Sequence, residues 1–521
     1  MATRENQALS DLFDSNLPPS PQQYSIAQTA ITSFNQELAV ISERMSDLER
    51  RLTSLRAEKV AIEAKRQQYL DVVSARRRIP TEILAAFIET ACFDSPKPHV
   101  GAPPFLPFML VSRVWFQAAC GIFDLWSELD INLKSDYREQ DVQHIVERAS
   151  RWYSRAGSHP LKLSLSLSSP NPNNHIFFRY LHSIVSNLGY LVVKIEMETP
   201  SDLEILKHIF HNPQSSQAVL WPQMRTLHLH LQCKQELGQD LQLRDAFSNA
   251  SEQFPALRDF AIRSNGTTAK FSIPWDALTK LRLGPFVNLT GMTYCSVLQE
   301  CRHLRSLHID IEFWFGVTSV GRLEDLTKGL VTLPHLTQLS IVYGCGHDAV
   351  CTNLVNKLVL PSLVSLHLET NLLEDRVNSI LSAFGRLVRR SHNSNTLKSI
   401  SLSLGMALSC CMSGLSDLCS EVPALEVLKL SGQSIGGGLM DAIPPRLKKL
   451  TVELTCQELD RVRIAFGLYL KRRYSSLDAS AEGAPIRVRL RVLEGERSRS
   501  ASRQIEELKS RIGSGLDLVM K

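Results

Sequence analysis

The chain has 521 residues, of which 44% are hydrophobic and 21% are charged, and its formal net charge is +5. This composition excludes a wholly disordered protein, and the length exceeds one ordinary compact core, so we expect several domains or an elongated repeat array. The basic residues are scattered and no apolar run approaches about eighteen residues, so charge and hydropathy favour neither nucleic-acid binding nor membrane insertion.

The cysteine pattern bears on the compartment. Eleven cysteines occur without regular spacing, and the chain opens with MATRENQALSDLF, which is not an apolar signal segment. Both features are typical of a reducing environment. We therefore expect a cytoplasmic or nuclear protein.

The N-terminal part of the chain predicts a leader and a long helix. Residues 1–25 are polar and proline-containing, which indicates a flexible leader. Residues 26–77 predict a coiled-coil-like helix, because apolar side chains recur from Ile31 to Val73 at alternating steps of three and four.

Residues 31–73 of that helix form a heptad seam that offers a site for self-association. With Ile31 at position a, the seam contains Lys59 and Arg66, and two of the three charged pairs that flank a parallel homodimer repel. A parallel homodimer, a long single helix and antiparallel packing against other parts of the protein remain open.

Residues 78–133 predict short amphipathic helices closed by an aromatic anchor. Pro80 suits the first turn of a helix, and Glu82 favours its N-terminus. The apolar positions of the first helix are Ile79, Ile83, Leu84, Phe87 and Ile88, those of the second are Leu110, Val111, Val114, Trp115 and Ala118, and Leu125-Trp126 follows.

At these residues the chain resembles the F-box family, whose pattern is L-P-x-E-I-L-x-x-I-F, then L-x-x-V-C-x-x-W, then L-W. The matching segments are Ile79–Leu84, Leu110–Trp115 and Leu125-Trp126, and the chain departs by a Pro-rich insert at Asp94–Pro107. The resemblance implies a small all-α domain over residues 78–133 that docks a Skp-type adaptor of a cullin-based SCF ubiquitin ligase. The adaptor-binding residues it implies are Ile79, Pro80, Glu82, Ile83, Leu84, Phe87, Leu110, Val111, Val114 and Trp115.

A repeated pattern dominates the rest of the chain. After a predicted helix at 142–153 and a strand from Leu161 to Leu167, the unit L-x-x-L-x-L/I occurs nine times between Met224 and Val452, at intervals of 21 to 34 residues. This spacing predicts an α/β fold: an irregular leucine-rich-repeat solenoid with a parallel sheet over residues 134–493. A charged C-terminal tail is expected at residues 494–521.

The repeat pattern also predicts a binding face. In each unit the residue between the last two apolar positions alternates away from the core, on the surface with which such repeats bind partners. The candidate substrate-binding residues at this position or one strand step beyond it are His228, Arg282, His308, Asp310, His367, Glu369 and Lys429.

The chain offers no motif for enzyme chemistry that we regard as specific. The patterns H-E-x-x-H, G-x-x-x-x-G-K-[ST] and C-x-x-C are absent, and His208 and His211 lack a third ligand. Cys345-Gly-His347 and Cys410-Cys411 lack metal-ligand spacing, and Gly436–Gly438 indicates a turn. We expect no enzyme activity, no cofactor and no metal.

We therefore expect an adaptor that binds a Skp-type protein and the cullin ligase core through the F-box and a protein substrate through the repeats. Nucleic acid and membrane are not expected partners. The alternative is a non-catalytic interaction scaffold with a degenerate F-box.

Overall fold

The computed structural model describes residues 9–10, 12–13, 16–73, 79–92, 104–168, 171–198, 202, 204–211, 219–233, 250–264, 273–284, 294–311, 329–344, 348–370, 374–404, 412–432, 443–444, 447–455, 487–493 and 516–520. Within them the protein combines helices with one large parallel sheet. The chain forms two compact units, Met1–Phe87 and Ile88–Lys521.

The first unit contains the long helix α1, Pro21–Val73. A capping box starts it: the Gln23 N–H donates to Ser20 Oγ (3.3 Å) and the Ser20 N–H donates to Gln23 Oε1 (3.0 Å). Pro21 occupies the first helical position, where its missing N–H costs nothing. The helix is confirmed, but the prediction that residues 1–25 are all flexible leader is wrong, because this cap begins the helix within that segment.

The remaining helices are short or of moderate length. They are α2 (Thr81–Cys92), α3 (Leu106–Met109), α4 (Arg113–Gly121), α5 (Phe123–Ser127), α6 (Glu139–Tyr153), α7 (Asn174–Ile184), α8 (Glu204–Phe210), α9 (Ala250–Gln253), α10 (Tyr294–Glu300), α11 (Asp348–Lys357), α12 (Glu374–Ser391) and α13 (Met412–Ser420). Single 3₁₀ turns lie at Val185–Asn187 and Trp275–Ala277. No described helix combines the length and apolar character needed to cross a membrane.

The described part of the second unit contains sixteen strands. They are β1 (Glu128–Lys134), β2 (Leu161–Ser168), β3 (Leu188–Met197), β4 (Thr226–Cys233), β5 (Asp259–Ser264), β6 (Lys280–Leu283), β7 (Ser306–Ile311), β8 (Val331–Thr332), β9 (Gln338–Tyr343), β10 (Leu358–Val359), β11 (Ser365–Thr370), β12 (Ser399–Leu404), β13 (Val427–Ser431), β14 (Lys449–Thr455), β15 (Arg487–Leu493) and β16 (Leu516–Met520).

Fourteen of these strands form one sheet in chain order, and every pair of neighbours is parallel. Strands β8 and β10 pair with each other outside it. The nine strands predicted from L-x-x-L-x-L/I are β4 to β7, β9 and β11 to β14. The large parallel sheet is therefore confirmed.

Two apolar rows cross the sheet and explain its register. Residues of both rows are at most 4% exposed from β1 to β14. The first row is Leu129, Leu163, Leu191, Leu227, Phe260, Leu281, Leu307, Leu339, Leu366, Ile400, Leu428 and Leu450. The second row lies two residues further on each strand, from Ile131 to Val452. A slip of one residue would expose both rows to water, so burial fixes the pairing.

A repeated backbone contact fixes where each strand begins. The N–H groups of Arg258 and Asp259 both donate to the carbonyl of Arg225, at 2.9 Å each. The same double acceptance recurs down the sheet at the carbonyls of Arg258, Thr279, Arg305, Thr337, Val364, Lys398 and Glu426. Each unit therefore sets the starting point of the next.

The helices pack against one another along the sheet. In chain order α5 contacts α6, α6 contacts α7, α7 contacts α8, and α10 to α13 contact in succession. Their apolar residues, such as Phe177, Leu381 and Phe384, are fully buried. The leucine rows are buried on one face of the sheet, and we infer that the helices cover that face.

The sheet extends beyond both predicted ends. Residues 128–133, which the F-box resemblance assigned to an all-α domain, form most of β1, because Leu129, Ile131 and Leu133 alternate with polar residues and pair with β2. Strand β16 lies in the segment predicted as a charged tail and pairs with β15. The sequence also predicts a short helix at 504–512 and places Asn371 at the turn position of its repeat, and both lie outside the described residues.

Trp126, predicted as the aromatic anchor of the short helices, is buried immediately before β1. Its Nε1–H donates to the carbonyl of Ala119 (2.9 Å), and its ring lies 4.9 Å from Phe105 and 4.7 Å from Trp152. The Arg155 guanidinium lies over the ring at 4.5 Å. Phe105 belongs to the Pro-rich insert, so this part of the insert contributes to the core.

A buried asparagine joins β1 to β2. Asn171 Nδ2 donates to the carbonyls of Tyr137 (2.7 Å), Ser135 (3.1 Å) and, more distantly, Lys134 (3.4 Å). Its side chain supplies hydrogen-bond donors to the backbone carbonyls of the turn after β1, which have no strand partner.

We predict that Asn171→Ala speeds hydrogen exchange in residues 128–137 by about 5- to 150-fold, because leaving buried carbonyls without a donor costs about 1–3 kcal/mol. Exchange mass spectrometry of the full chain measures this. The control Asn187→Ala removes an exposed asparagine and should leave the segment unchanged. Equal exchange in all three proteins would contradict the role given to Asn171.

Candidate functional site

One line of nine residues, eight of them polar, crosses the face of the sheet opposite the leucine rows, which we call the solvent face. Direct pairing aligns one residue from each strand between β4 and β14: His228, Ala261, Arg282, His308, Ser340, His367, Ser401, Lys429 and Thr451. We call this line the central row. It contains five of the seven residues predicted to bind substrate, and the other two, Asp310 and Glu369, lie one strand step further along.

Polar side chains contact one another around the middle of the central row. His308 Nδ1 on β7 lies 2.9 Å from Ser340 Oγ on the adjacent strand β9, and within β11 His367 Nε2 lies 3.8 Å from Glu369 Oε2. We call Arg282, His308, Ser340, His367 and Glu369 the His308 cluster. Arg282 and Glu369 are exposed and the other three are half-buried, so the cluster offers both charges and hydrogen-bonding groups to a ligand.

The cluster and its burial disfavour the charged form of His308. Burial lowers the pKa of His308 below its usual 6.5, the charges of Arg282 and His367 lower it further, and Glu369 opposes them. A bound anion would reverse this effect by replacing lost solvation with an opposite charge. His308 is therefore suited to take up a proton when an acidic group binds.

A second group of residues lies towards β3 and β4. His228 is only 9% exposed: its Nε2 is 3.4 Å from Asp259 Oδ1, and its ring stands edge-on to Tyr190 at 5.6 Å. These contacts make His228 mainly a packing residue. The more accessible imidazole is that of His230, beside Arg263.

The charged form of His230 is also disfavoured. Its pKa is lowered by burial and, to a smaller extent, by the nearby charges of His228, Lys194 and Arg263. Lys194 and Arg263 are exposed, so this end of the face carries permanent positive charge.

Gly284 makes room for Arg263. A Cβ at Gly284 would lie 2.7 Å from Arg263 Cα, closer than real Cβ atoms approach backbone. The Gly284 N–H also donates to the carbonyl of Ile262 at 2.6 Å. Only glycine permits β6 to approach β5 this closely.

The structure separates some predicted residues and adds others. Lys429 lies two strands from His367, beyond Ser401, and is not part of the His308 cluster. Asp259, Tyr190 and Lys194 are additions. The alternation of buried and exposed positions that identified the central row also assigns these residues to the solvent face. Each lies two residues before or after the central-row position of its own strand.

The residues predicted to bind an adaptor differ in accessibility. Ile83, Phe87, Leu110 and Val111 are between 55% and 77% exposed, and Val114 is 39% exposed. Pro80 and Glu82 are exposed, and Ile79 and Trp115 are half-buried. Leu84 is only 2% exposed and acts in packing. Ile83 and Phe87 are four residues apart and share one face of α2.

The histidine, cysteine and glycine patterns named in the sequence fall into two groups, those that the structure describes and those that lie outside it. Among the described residues no group of three or more His, Cys, Asp and Glu side chains can hold a metal, and His208 instead stacks on Phe178. Cys345, His347, Cys410, Cys411 and Gly436–Gly438 lie outside the described residues.

Gly432–Gly436 carries a further pattern that occurs in some enzymes, G-x-S-x-G. In hydrolases with this turn, the serine is followed along the chain by an acid and then by a histidine. The last histidine of this sequence is His392, so none follows Ser434. Ser434 itself lies outside the described residues.

No protein-family model matches the chain, and no curated protein matches it. We therefore infer function from the residues of this chain alone.

We predict that acidification destabilises the sheet through His230 and His308. Their pKa values are lower in the folded chain than the usual 6.5, so the stability they contribute is present above about pH 6.5 and is lost as pH falls through the lowered values. Thermal unfolding between pH 7.5 and pH 5 should show a smaller loss in His308→Gln, which keeps a hydrogen-bonding group but does not titrate. The exposed His144→Gln is the control. Identical losses in His308→Gln and the parent would contradict the assignment.

Proposed function

We propose that this chain is a substrate-recognition subunit of an SCF-type ubiquitin ligase. The observation that carries the proposal is the agreement between the F-box-like sequence pattern and the large exposed fraction of the apolar side chains at its positions, above all Ile83 and Phe87. Large apolar groups seldom remain exposed together on a protein without a partner. A Skp-type adaptor, itself bound to the cullin core, is the partner that the pattern implies.

We infer that the strands belong to irregular leucine-rich repeats. Support comes from the two apolar rows, from the carbonyl ladder that starts each strand, and from the chain order of the parallel sheet. In such an array each unit buries its apolar face against its neighbours, and the strand face remains free to bind a partner. The solvent face of the sheet is then the surface for a protein substrate.

The charges on that face favour an acidic segment of the substrate. Lys194, Arg263 and Arg282 are permanently positive and exposed, while the imidazoles of His230 and His308 gain charge when an anion approaches. Glu369, a member of the His308 cluster, and the neighbouring Asp310 are acidic and restrict which acidic sequences fit. In this proposal the chain binds and positions, requires no cofactor, performs no chemistry itself, and acts in the cytoplasm or nucleus.

The alternative is a scaffold in which the F-box-like helices only cap the repeats. One observation favours it: Trp126 packs between Phe105 and Trp152, and β1 follows at once and pairs with β2. Helices tied so closely to the sheet have a structural role whether or not an adaptor binds. The ligase subunit binds the adaptor and, through it, the cullin, whereas the scaffold binds neither.

The test replaces the two exposed residues of α2. We predict that Ile83→Glu with Phe87→Glu weakens binding of a purified Skp-type adaptor by about a hundredfold or more, since each side chain contributes about 1.5–3 kcal/mol when buried. Calorimetry with the full chain gives the affinity, and circular dichroism checks the fold.

The matched control is Leu220→Glu, which alters a similarly exposed residue outside the motif. It should bind as the parent does. A parent chain that does not bind the adaptor, or a folded double variant that binds it equally well, would support the scaffold instead.

A further inference from the structure

Helix α1 presents to solvent an apolar seam that two basic residues interrupt. Its apolar members are 49% to 74% exposed: Ile31, Phe34, Leu38, Ile41, Met45, Leu48, Leu52, Leu55, Ile62, Tyr69 and Val73. The seam follows positions a and d of a heptad, with Lys59 and Arg66 at two further a positions. A seam of this length is stable in water when a second helix covers it.

We propose that the covering helix is α1 of a second copy of this chain, in an antiparallel pair. In the arrangement that we infer, residue i of one copy lies level with residue 100 − i of the other. Leu48 and Leu52 of each copy form the central layers, and Ile31 and Tyr69 form the outer ones. The overlap covers 39 residues, or about 58 Å of helix.

The two basic a positions argue against the parallel orientation. In a parallel pair position a faces position a, so Lys59 would meet its own copy, and so would Arg66. In an antiparallel pair position a faces position d. Lys59 then faces Ile41 of the second copy, and Arg66 faces Phe34, where a guanidinium packs favourably on a ring.

The charges beside the seam favour the same orientation. A parallel pair brings Arg44 to Glu49, which attract, but also Arg51 to Arg56 and Glu58 to Glu63, which repel. Each of these contacts occurs twice, so repulsive contacts outnumber attractive ones two to one.

The antiparallel pair reverses this balance. Glu37 lies beside Lys65 of the second copy and Arg44 beside its Glu58, and each attractive contact occurs twice. Like charges meet only at the two-fold axis, where Arg51 and Glu49 each meet their own copy once. Arg51 is already paired with Asp47 of its own helix at 2.8 Å, which weakens that repulsion.

Charge and seam length also select the register. Moving the second helix one heptad in one direction sets Glu37 against Glu58 and Arg44 against Arg51, and both contacts repel. Moving it one heptad in the other direction sets Arg44 against Lys65, which repel. It also sets Arg51 against Glu58 and Glu49 against Arg56, which attract, but it leaves Ile31 uncovered. The register with Leu48 and Leu52 at the centre avoids the repulsive contacts of the first shift and the uncovered residue of the second.

The first test measures orientation in the full chain. Spin labels introduced as unnatural amino acids at Gln36 and, separately, at Arg50 lie on the outer surface of the helix. The proposal predicts a dimer by light scattering, a short interlabel distance at position 50, and an axial separation of about 42 Å at position 36. A monomer, short distances at both positions, or a long distance at position 50 would each overturn it.

The second test uses charge exchange. Glu58→Arg replaces two attractive contacts by repulsive ones in the antiparallel pair and should raise the dimer dissociation constant about fivefold, whereas it would relieve repulsion in a parallel pair. Adding Arg44→Glu restores opposite charges and should recover the parent value. Tighter association of Glu58→Arg, or no recovery in the double variant, would overturn the proposal. Neither variant changes the F-box-like residues or the sheet. The affinity of each copy of the chain for the adaptor should therefore be unchanged.

Discussion

The pairing of one leucine row upon the next is the constraint on which the sheet depends. Each strand has one buried face, and from β1 to β14 the same two positions of each strand are removed from water. A slip at any strand would turn that strand's apolar residues to solvent, at about 1.5–3 kcal/mol for each large side chain. The carbonyl ladder from Arg225 to Glu426 adds a polar constraint at the beginning of each strand. Burial and hydrogen bonding therefore select the same register.

That register produces the candidate site. Residues as far apart in sequence as Arg282 and His367 come together because their strands are held in line by leucines on the opposite face. The half-burial that lowers the pKa of His308 is likewise a consequence of packing between neighbouring strands. The chemistry of the face is thus set by the apolar side, and a substitution in a leucine row would disturb binding as well as stability.

Much of this organisation could be predicted from the sequence, and the omissions have physical causes. The spacing of leucines identifies nine strands and the residues on those strands that point away from the apolar core. It does not identify β1, β3 or β16, whose apolar residues alternate without the full L-x-x-L-x-L spacing. Contacts such as that between His228 and Asp259 join residues 31 positions apart across units of unequal length, so spacing alone does not predict them. Burial of Leu84 and His228, which makes both packing residues, depends on neighbours that no local pattern specifies.

The central claim is that one chain links an adaptor to a substrate through two separate surfaces. Its most direct test compares the proteins that accumulate in cells when the chain is replaced by an adaptor-surface variant (Ile83→Glu with Phe87→Glu) or by a sheet-face variant (Arg282→Ser, His308→Ser and His367→Ser). Quantitative mass spectrometry at equal expression of both variants gives the two sets. The account predicts that the same proteins accumulate in both cases, since loss of either surface breaks the link. Disjoint sets, or no accumulation with either variant, would contradict it.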